Sequence, residues 1–133
     1  MAQNKNSIVL KVSLIVYAVL TLVYGIGYLF FPQKLVELSG GEPIPSGWLR
    51  WSGGVLIALG IGAILAFRDL EKQDTLVITF AMGTLFSGLV LLYNLFFEIS
   101  GDTWFTALPA IIALISSSLL WWAWFQARGI LKK

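Results

Sequence analysis

The sequence predicts an all-α integral membrane protein, a four-helix bundle whose helices run antiparallel, up and down. Three observations carry this expectation. Hydrophobic residues make up 58% of the 133-residue chain and charged residues only 12%, where a soluble domain carries about 25% charged residues. The apolar residues fall into four runs, at about 12–31, 47–67, 75–97 and 104–125, and a helix needs ~20 such residues to cross a bilayer. The connections between the later runs are short, so successive spans must double back. An even number of spans then brings both termini to one side. The whole chain, 1–133, reads as a single transmembrane domain.

Met1 to Lys11 reads as a short polar tail. The run that follows, Val12 to Phe31, is too long for the apolar core of a cleaved signal peptide. It ends in Tyr28-Leu29-Phe30-Phe31-Pro32 rather than at a small-residue cleavage site, so it reads as a retained first helix. Its polar residues, Ser13, Tyr17, Thr21, Tyr24 and Tyr28, recur at steps of three and four and share one face. That face suits either helix packing through hydroxyl groups or the lining of a polar cavity. Pro32 then fits the first position of a short interfacial helix over 33–38, because its ring fixes φ and it has no N–H to lose. Gly40-Gly41 ends that helix, Pro43 and Pro45 extend the chain, and Ser46 is placed to cap the second span.

The second span carries the charge that stands out. Arg50 lies one turn inside an apolar run, and Arg50, Gly54, Ala58 and Gly62 form a slowly winding stripe. Gly53 and Gly60 lie on its other flank, with Leu56, Leu59 and Ala63 on the far side. Small residues mark faces where membrane helices approach closely, so the stripe is expected to be a packed face with Arg50 on or beside it. An arginine near a span's end either snorkels to the headgroups or finds a partner.

Arg68 to Asp74 is a charged turn that joins the second and third spans as a hairpin, with Asp74 capping the third. The third span places Gly83, Ser87, Asn94 and Glu98 on one face. An amide in hydrocarbon needs partners, so Asn94 is expected to face another helix. Ser100 to Thr103 forms a turn, with Asp102 or Thr103 capping the fourth span. The fourth span starts at Trp104, contains Pro109 and presents Thr106, Ala110, Ala113 and Ser117 as its small face. Trp121, Trp122 and Trp124 near its end mark a membrane–water interface, where tryptophans concentrate.

The side holding both termini carries Lys5, Lys11, Arg68, Lys72, Arg128, Lys132 and Lys133; the other carries Lys34 and Arg50. The excess of lysine and arginine on cytoplasmic loops then places both termini in the cytoplasm, with a bacterial inner membrane as the expected location. At the opposite face Tyr24, Tyr28, Arg50, Asn94, Glu98 and Trp104 lie at similar depth. They form the candidate ligand site, an outward-facing polar pocket around Arg50 and beneath the 32–46 loop. Arg50 and Glu98 are the expected ion pair, either as a structural clasp or as a contact for an anion or polar headgroup.

Composition also narrows the chemistry. The chain has no Cys and no His, which argues against His- or Cys-ligated metal, haem or iron–sulfur clusters and leaves the cofactor open. A net charge of +2 from scattered basic residues gives no reason to expect nucleic acid. Small multidrug exporters share the four-span size but use an acidic residue in the first span, where Val12 to Phe31 has none. Small fluoride channels carry arginine after a glycine-rich motif, the reverse of Arg50 before Gly53-Gly54.

Phe31-Pro32-x-x-Leu35, a glycine-bearing loop, and Leu49-Arg50-Trp51-x-Gly53-Gly54 at the head of a small-residue helix resemble the DoxX-like group of small bacterial membrane proteins. The resemblance covers mainly the first two spans. It implies a four-helix membrane fold and either quinone-linked oxidation or an accessory role in a membrane complex. Two functions follow as expectations. The leading one is an accessory or assembly subunit bound to other membrane proteins. The other is a binder or transporter of a small amphipathic molecule such as a lipid, quinone or isoprenoid. An enzyme acting on lipid would have to work with Glu98, Asp102, Arg50 and tyrosines alone.

Overall fold

The computed structural model describes residues 3–40, 46–70, 73–97 and 104–128, and among them there are five helices and no strand. They are α1 (Gln3–Phe30), α2 (Pro32–Leu38), α3 (Ser46–Arg68), α4 (Asp74–Phe97) and α5 (Trp104–Ala127). All but α2 contain a stretch long and apolar enough to cross a membrane: Ile8–Phe30, Ser46–Arg68, Asp74–Phe97 and Thr106–Ala127. Several expected features lie outside the described residues: Glu98, the Gly41–Pro45 segment, Glu71 and Lys72, the Ser100–Thr103 turn, and Gly129–Lys133.

The helix boundaries depart from expectation at the N-terminal side. α1 begins at Gln3, well before Val12, and absorbs most of what was read as a polar tail. Nothing between Gln3 and Lys11 breaks a helix. Polarity changes where a helix is solvated, whereas proline and glycine change whether it continues. α2 starts on Pro32 as expected. It closes with the Ser39 N–H and hydroxyl both donating to the Leu35 carbonyl, at 3.2 and 2.8 Å, and the Gly40 N–H donating to Glu37 at 3.1 Å. Gly40 has φ 71°, a left-handed conformation that glycine takes without a side-chain penalty. Ser46 is the first residue of α3 rather than the residue before it.

The long helices pack as two pairs. In the first, α1 meets α3 along a seam of close approach. Gly25 lies against Gly53 and Ile57, Thr21 and Leu22 lie against Gly60, and the Lys11 ammonium sits 5.8 Å over the Phe67 ring. In the second, α4 meets α5. Gly88 rests on Leu114, and the Ser117 hydroxyl donates to the Ala81 carbonyl at 2.8 Å. At one end of this pair Asp74 forms an ion pair with Arg128 and accepts a hydrogen bond from the Trp124 indole at 3.3 Å. Asp74, expected to cap the third span, is the first residue of α4. The main contacts between the two pairs are those of α1 with α5, while α3 and α4 touch sparsely.

The core gathers at one end of the molecule. It comprises Leu10, Leu14, Tyr17 and Ala18 of α1, Ala63 and Ala66 of α3, Val77, Phe80 and Ala81 of α4, and Leu120 and Ala123 of α5. Tyr17 and Phe80 stack there with ring centroids 5.2 Å apart, which ties the first pair to α4. Toward the other end α4 loses its cover, and no residue from Leu89 to Phe97 is buried. The molecule is therefore closed at the end where α3 passes into α4 and open at the end where α1 passes into α2.

Two expected faces are corrected, those of α3 and α4, and on α1 one detail changes. On α3 the packed seam is Leu49, Gly53, Gly60, Ala63 and Ala66. Arg50, Gly54 and Ala58 face outward, and Gly62 instead approaches the Phe80 ring. The reason is stereochemical. Closest approach needs a partner that is also small, and Gly25 of α1 matches Gly53, whose position lies about 100° round the helix from Gly54. On α4 the buried positions are Val77, Phe80, Ala81 and Gly88, while Gly83 and Ser87 are exposed and Asn94 is half-buried. On α1 Ser13, Tyr17 and Thr21 are buried, but the hydroxyls of Ser13 and Thr21 bond to carbonyls of their own helix, Val9 at 2.9 Å and Tyr17 at 2.8 Å. A hydroxyl within reach of its own preceding turn needs no second helix. The small face of α5 is as expected, with Thr106, Ala110 and Ser117 buried and Ala113 half-buried.

Candidate functional site

The open end of the bundle contains a cleft of about 280 Å³ between α1, α2 and the start of α5. Tyr24 and Tyr28 stand one helical turn apart on α1, their rings edge to face at 5.7 Å. Val23 and Gly27 complete that wall. α2 supplies Leu35 and Ser39, and α5 supplies Trp104, Leu108 and Pro109. α2 can lie this close because Gly27 has no side chain: a Cβ there would meet the Leu35 methyl group at 2.8 Å. Pro109 is an interior residue of α5. A proline within a helix leaves the carbonyl four residues earlier, here that of Phe105, without its usual N–H donor.

The polar side-chain groups of the lining are the hydroxyls of Tyr24, Tyr28 and Ser39 and the indole N–H of Trp104. Among the described residues no carboxylate, ammonium or guanidinium belongs to it. The Ser39 hydroxyl is engaged with Leu35. The volume is just below the ~300–1,000 Å³ of typical small-molecule sites, and like them the cleft joins mostly apolar walls to a few polar groups. Chemically it suits a slender apolar molecule with one small polar group.

The candidate residues are thus divided. Tyr24, Tyr28 and Trp104 come together in one cleft. Arg50 is exposed on α3, Asn94 is half-buried on α4, and neither lines it. Glu98 lies outside the described residues. Reading the sequence alone missed Leu35, Ser39, Leu108 and Pro109. The proline was the available signal, because a freed carbonyl at membrane depth asks for a partner. Among the described residues no group of three or more Asp or Glu side chains gathers to hold a metal ion.

Aromatic side chains also frame the molecule. At the closed end Trp121 and Phe125 stack at 5.5 Å, with Trp124 edge-on to both at 6.0 and 5.2 Å. At the open end Phe30, Phe31, Trp48, Trp51, Phe96, Phe97 and Trp104 are exposed. Amphipathic rings prefer the headgroup level of a bilayer, so these two sets fit its two edges. Four helices fit to span a membrane, framed in this way, define the class: a small helical membrane protein. No protein-family model matches the chain, and neither curated proteins nor solved structures give a match.

Proposed function

We propose that this small integral membrane protein holds an amphipathic molecule of lipid type in the cleft between α1, α2 and α5. The observation that carries this reading is the cleft itself: an apolar slot at the open end, with two tyrosines and a tryptophan at its polar positions. Native mass spectrometry of protein extracted mildly from its own membrane should show a discrete small-molecule adduct. Leu108→Trp, which places an indole in the slot from a half-exposed position, should abolish the adduct. An adduct that persists in this variant would place the ligand elsewhere and sink the reading.

The accessory or assembly subunit remains a second reading, favoured by the outer face of α4. Gly83 has open space around it, Ser87 is exposed, and Asn94 offers an amide at membrane depth. Membrane helices use such residues to meet neighbours. A reproducible additional protein mass in the same spectra is its expected sign. The absence of one after mild extraction and after chemical cross-linking would remove it.

The bundle is proposed to be antiparallel, in a bacterial inner membrane, with both termini cytoplasmic. The contacts that pair Gly25 with Gly53 and Lys11 with Phe67 support the course of α1 and α3, and the charge count supports the orientation. The chain has no cysteine of its own, so single cysteines report cleanly. Asn4→Cys should react with an impermeant thiol reagent only from the cytoplasmic side, and Glu37→Cys only from the outside. Labelling of both from the same side would overturn the topology. Kinship with the DoxX-like group is part of the same proposal, supported by Pro32 opening α2 and by Gly53 at the closest helix approach. Homologous sequences with bulky residues at 53 would break that link.

A further inference from the structure

The way the cleft meets the molecular surface indicates how a guest reaches it, a step that rests on the cleft being the binding site. We infer that the cleft is a side port: it opens between α1 and α5 into the bilayer, admits the polar end of a lipid from the adjoining leaflet, and leaves the lipid's chain in the membrane. The first ground is the exposure of two lining residues. Val23 of α1 and Leu108 of α5 both line the cleft, and they are 64% and 46% exposed. Val23 stands seven residues before the end of α1, about 10 Å into the span at ~1.5 Å per residue. Surface at that depth faces hydrocarbon rather than water.

The second ground is what continues from the mouth. Val19 follows Val23 one turn further into the span, and Ile111 and Ile115 follow Leu108 at steps of three and four; all three are exposed. They prolong both walls as apolar ridges, against which a chain can lie while the polar end is inside. The third ground is size. At about 280 Å³ the cleft is just smaller than the ~300–1,000 Å³ sites that enclose most of a drug-sized ligand. It takes the head of a long-chain lipid and not the whole molecule. The α2 wall is seated firmly, with Leu35 against Gly27 and with Pro32 and Val36 buried, so the side that parts is the α1–α5 gap. A guest arriving through water pays for every exposed methylene, whereas one sliding in from the bilayer keeps its chain in hydrocarbon throughout.

The test closes the port. The chain has no cysteine, so Val23→Cys with Leu108→Cys can be bridged by a short bis-maleimide in the full-length protein. Native mass spectrometry follows the adduct, and vesicles of the source membrane's own total lipid extract resupply it. Bridging the loaded protein should hold the adduct at least tenfold longer than in the unbridged double variant when both are washed with lipid-free detergent. Bridging the stripped protein should keep it from regaining the adduct from those vesicles. An adduct that leaves or returns as fast with the bridge in place, or that is expelled by bridging, has another path. Either result overturns the side port, and the cleft still stands if Leu108→Trp abolishes the adduct. A second measurement needs no bridge: in nanodiscs, a nitroxide on Val23→Cys alone should collide with dissolved oxygen and be shielded from a water-soluble nickel chelate. Nickel contact equal to that at Glu37→Cys would also overturn the port. If the native protein carries no adduct, or the adduct survives Leu108→Trp, the cleft is not the site and both conclusions fall.

Discussion

Gly53→Leu is expected to force α1 and α3 apart and to destabilise the protein by on the order of 3 kcal/mol, the upper range for overpacking a tight interior. A Cβ at this position would stand 2.7 Å from the Gly25 carbonyl oxygen and 2.7 Å from the Leu29 nitrogen. Both obstacles are backbone atoms, so no rotamer change relieves the overlap and the helices themselves must move. Even Gly53→Ala should be felt. Gly54→Ala is the matched control: the neighbouring glycine has open space around it, and alanine favours a helix over glycine by about 1 kcal/mol. Denaturant titration in mild detergent, followed by tryptophan fluorescence, reads both variants. Equal stability for Gly53→Leu and Gly54→Ala would show that the α1–α3 seam is not where this structure places it.

The second large effect is expected at Tyr17. Its ring is almost fully buried and stacks on Phe80, the contact that ties the α1–α3 pair to α4. Tyr17→Ala should cost about 3 kcal/mol, the low end for emptying an aromatic position in a core. The low end applies because lipid competes for apolar surface and the loss is mainly of packing. Tyr17→Phe keeps the ring and should cost under ~1 kcal/mol, within the range of a single hydrogen bond. An alanine variant as stable as the phenylalanine variant would mean that the Tyr17–Phe80 stack does not help to hold α1 against α4.

The four spans were legible in the sequence because hydrophobicity sums over ~20 residues and needs no knowledge of neighbours. The short α2 was legible because Pro32 and Gly40 are local instructions. The packed faces were not equally legible. α3 carries two stripes of small residues, one through Gly54 and Ala58 and one through Gly53 and Gly60. Choosing between them requires knowing that Gly25 of another helix faces Gly53. The same limit applied at α4, where Gly83 and Ser87 follow the spacing of a packed face and lie exposed. Asp74 was read as a local cap because its partners, Trp124 and Arg128, are fifty or more positions away in the chain. Of the candidate site, the tyrosine face of α1 could be read from its period, and Trp104 from its place at a span's edge. The contribution of α2 and Pro109 depended on how the helices lean together.

The uneven distribution of the core has a mechanical consequence. With Tyr17 and Phe80 as a fulcrum near the closed end, the α4–α5 pair is a long lever. From position 80 to position 97, α4 extends about 25 Å, at about 1.5 Å per residue. A tilt of ~5° about Phe80 then displaces its far end by about 2 Å, a helix-shift amplitude of the kind seen in conformational switching. On the α3 side little packing opposes this swing, since α3 and α4 touch sparsely, and the resistance comes from α1 against α5. Because Gly88 rests on Leu114 and Ser117 is bonded to Ala81, α5 travels with α4 and carries Leu108 and Pro109 along. The jaw that would widen or narrow around a guest is thus the α4–α5 pair, hinged on the closed-end core around Tyr17 and Phe80.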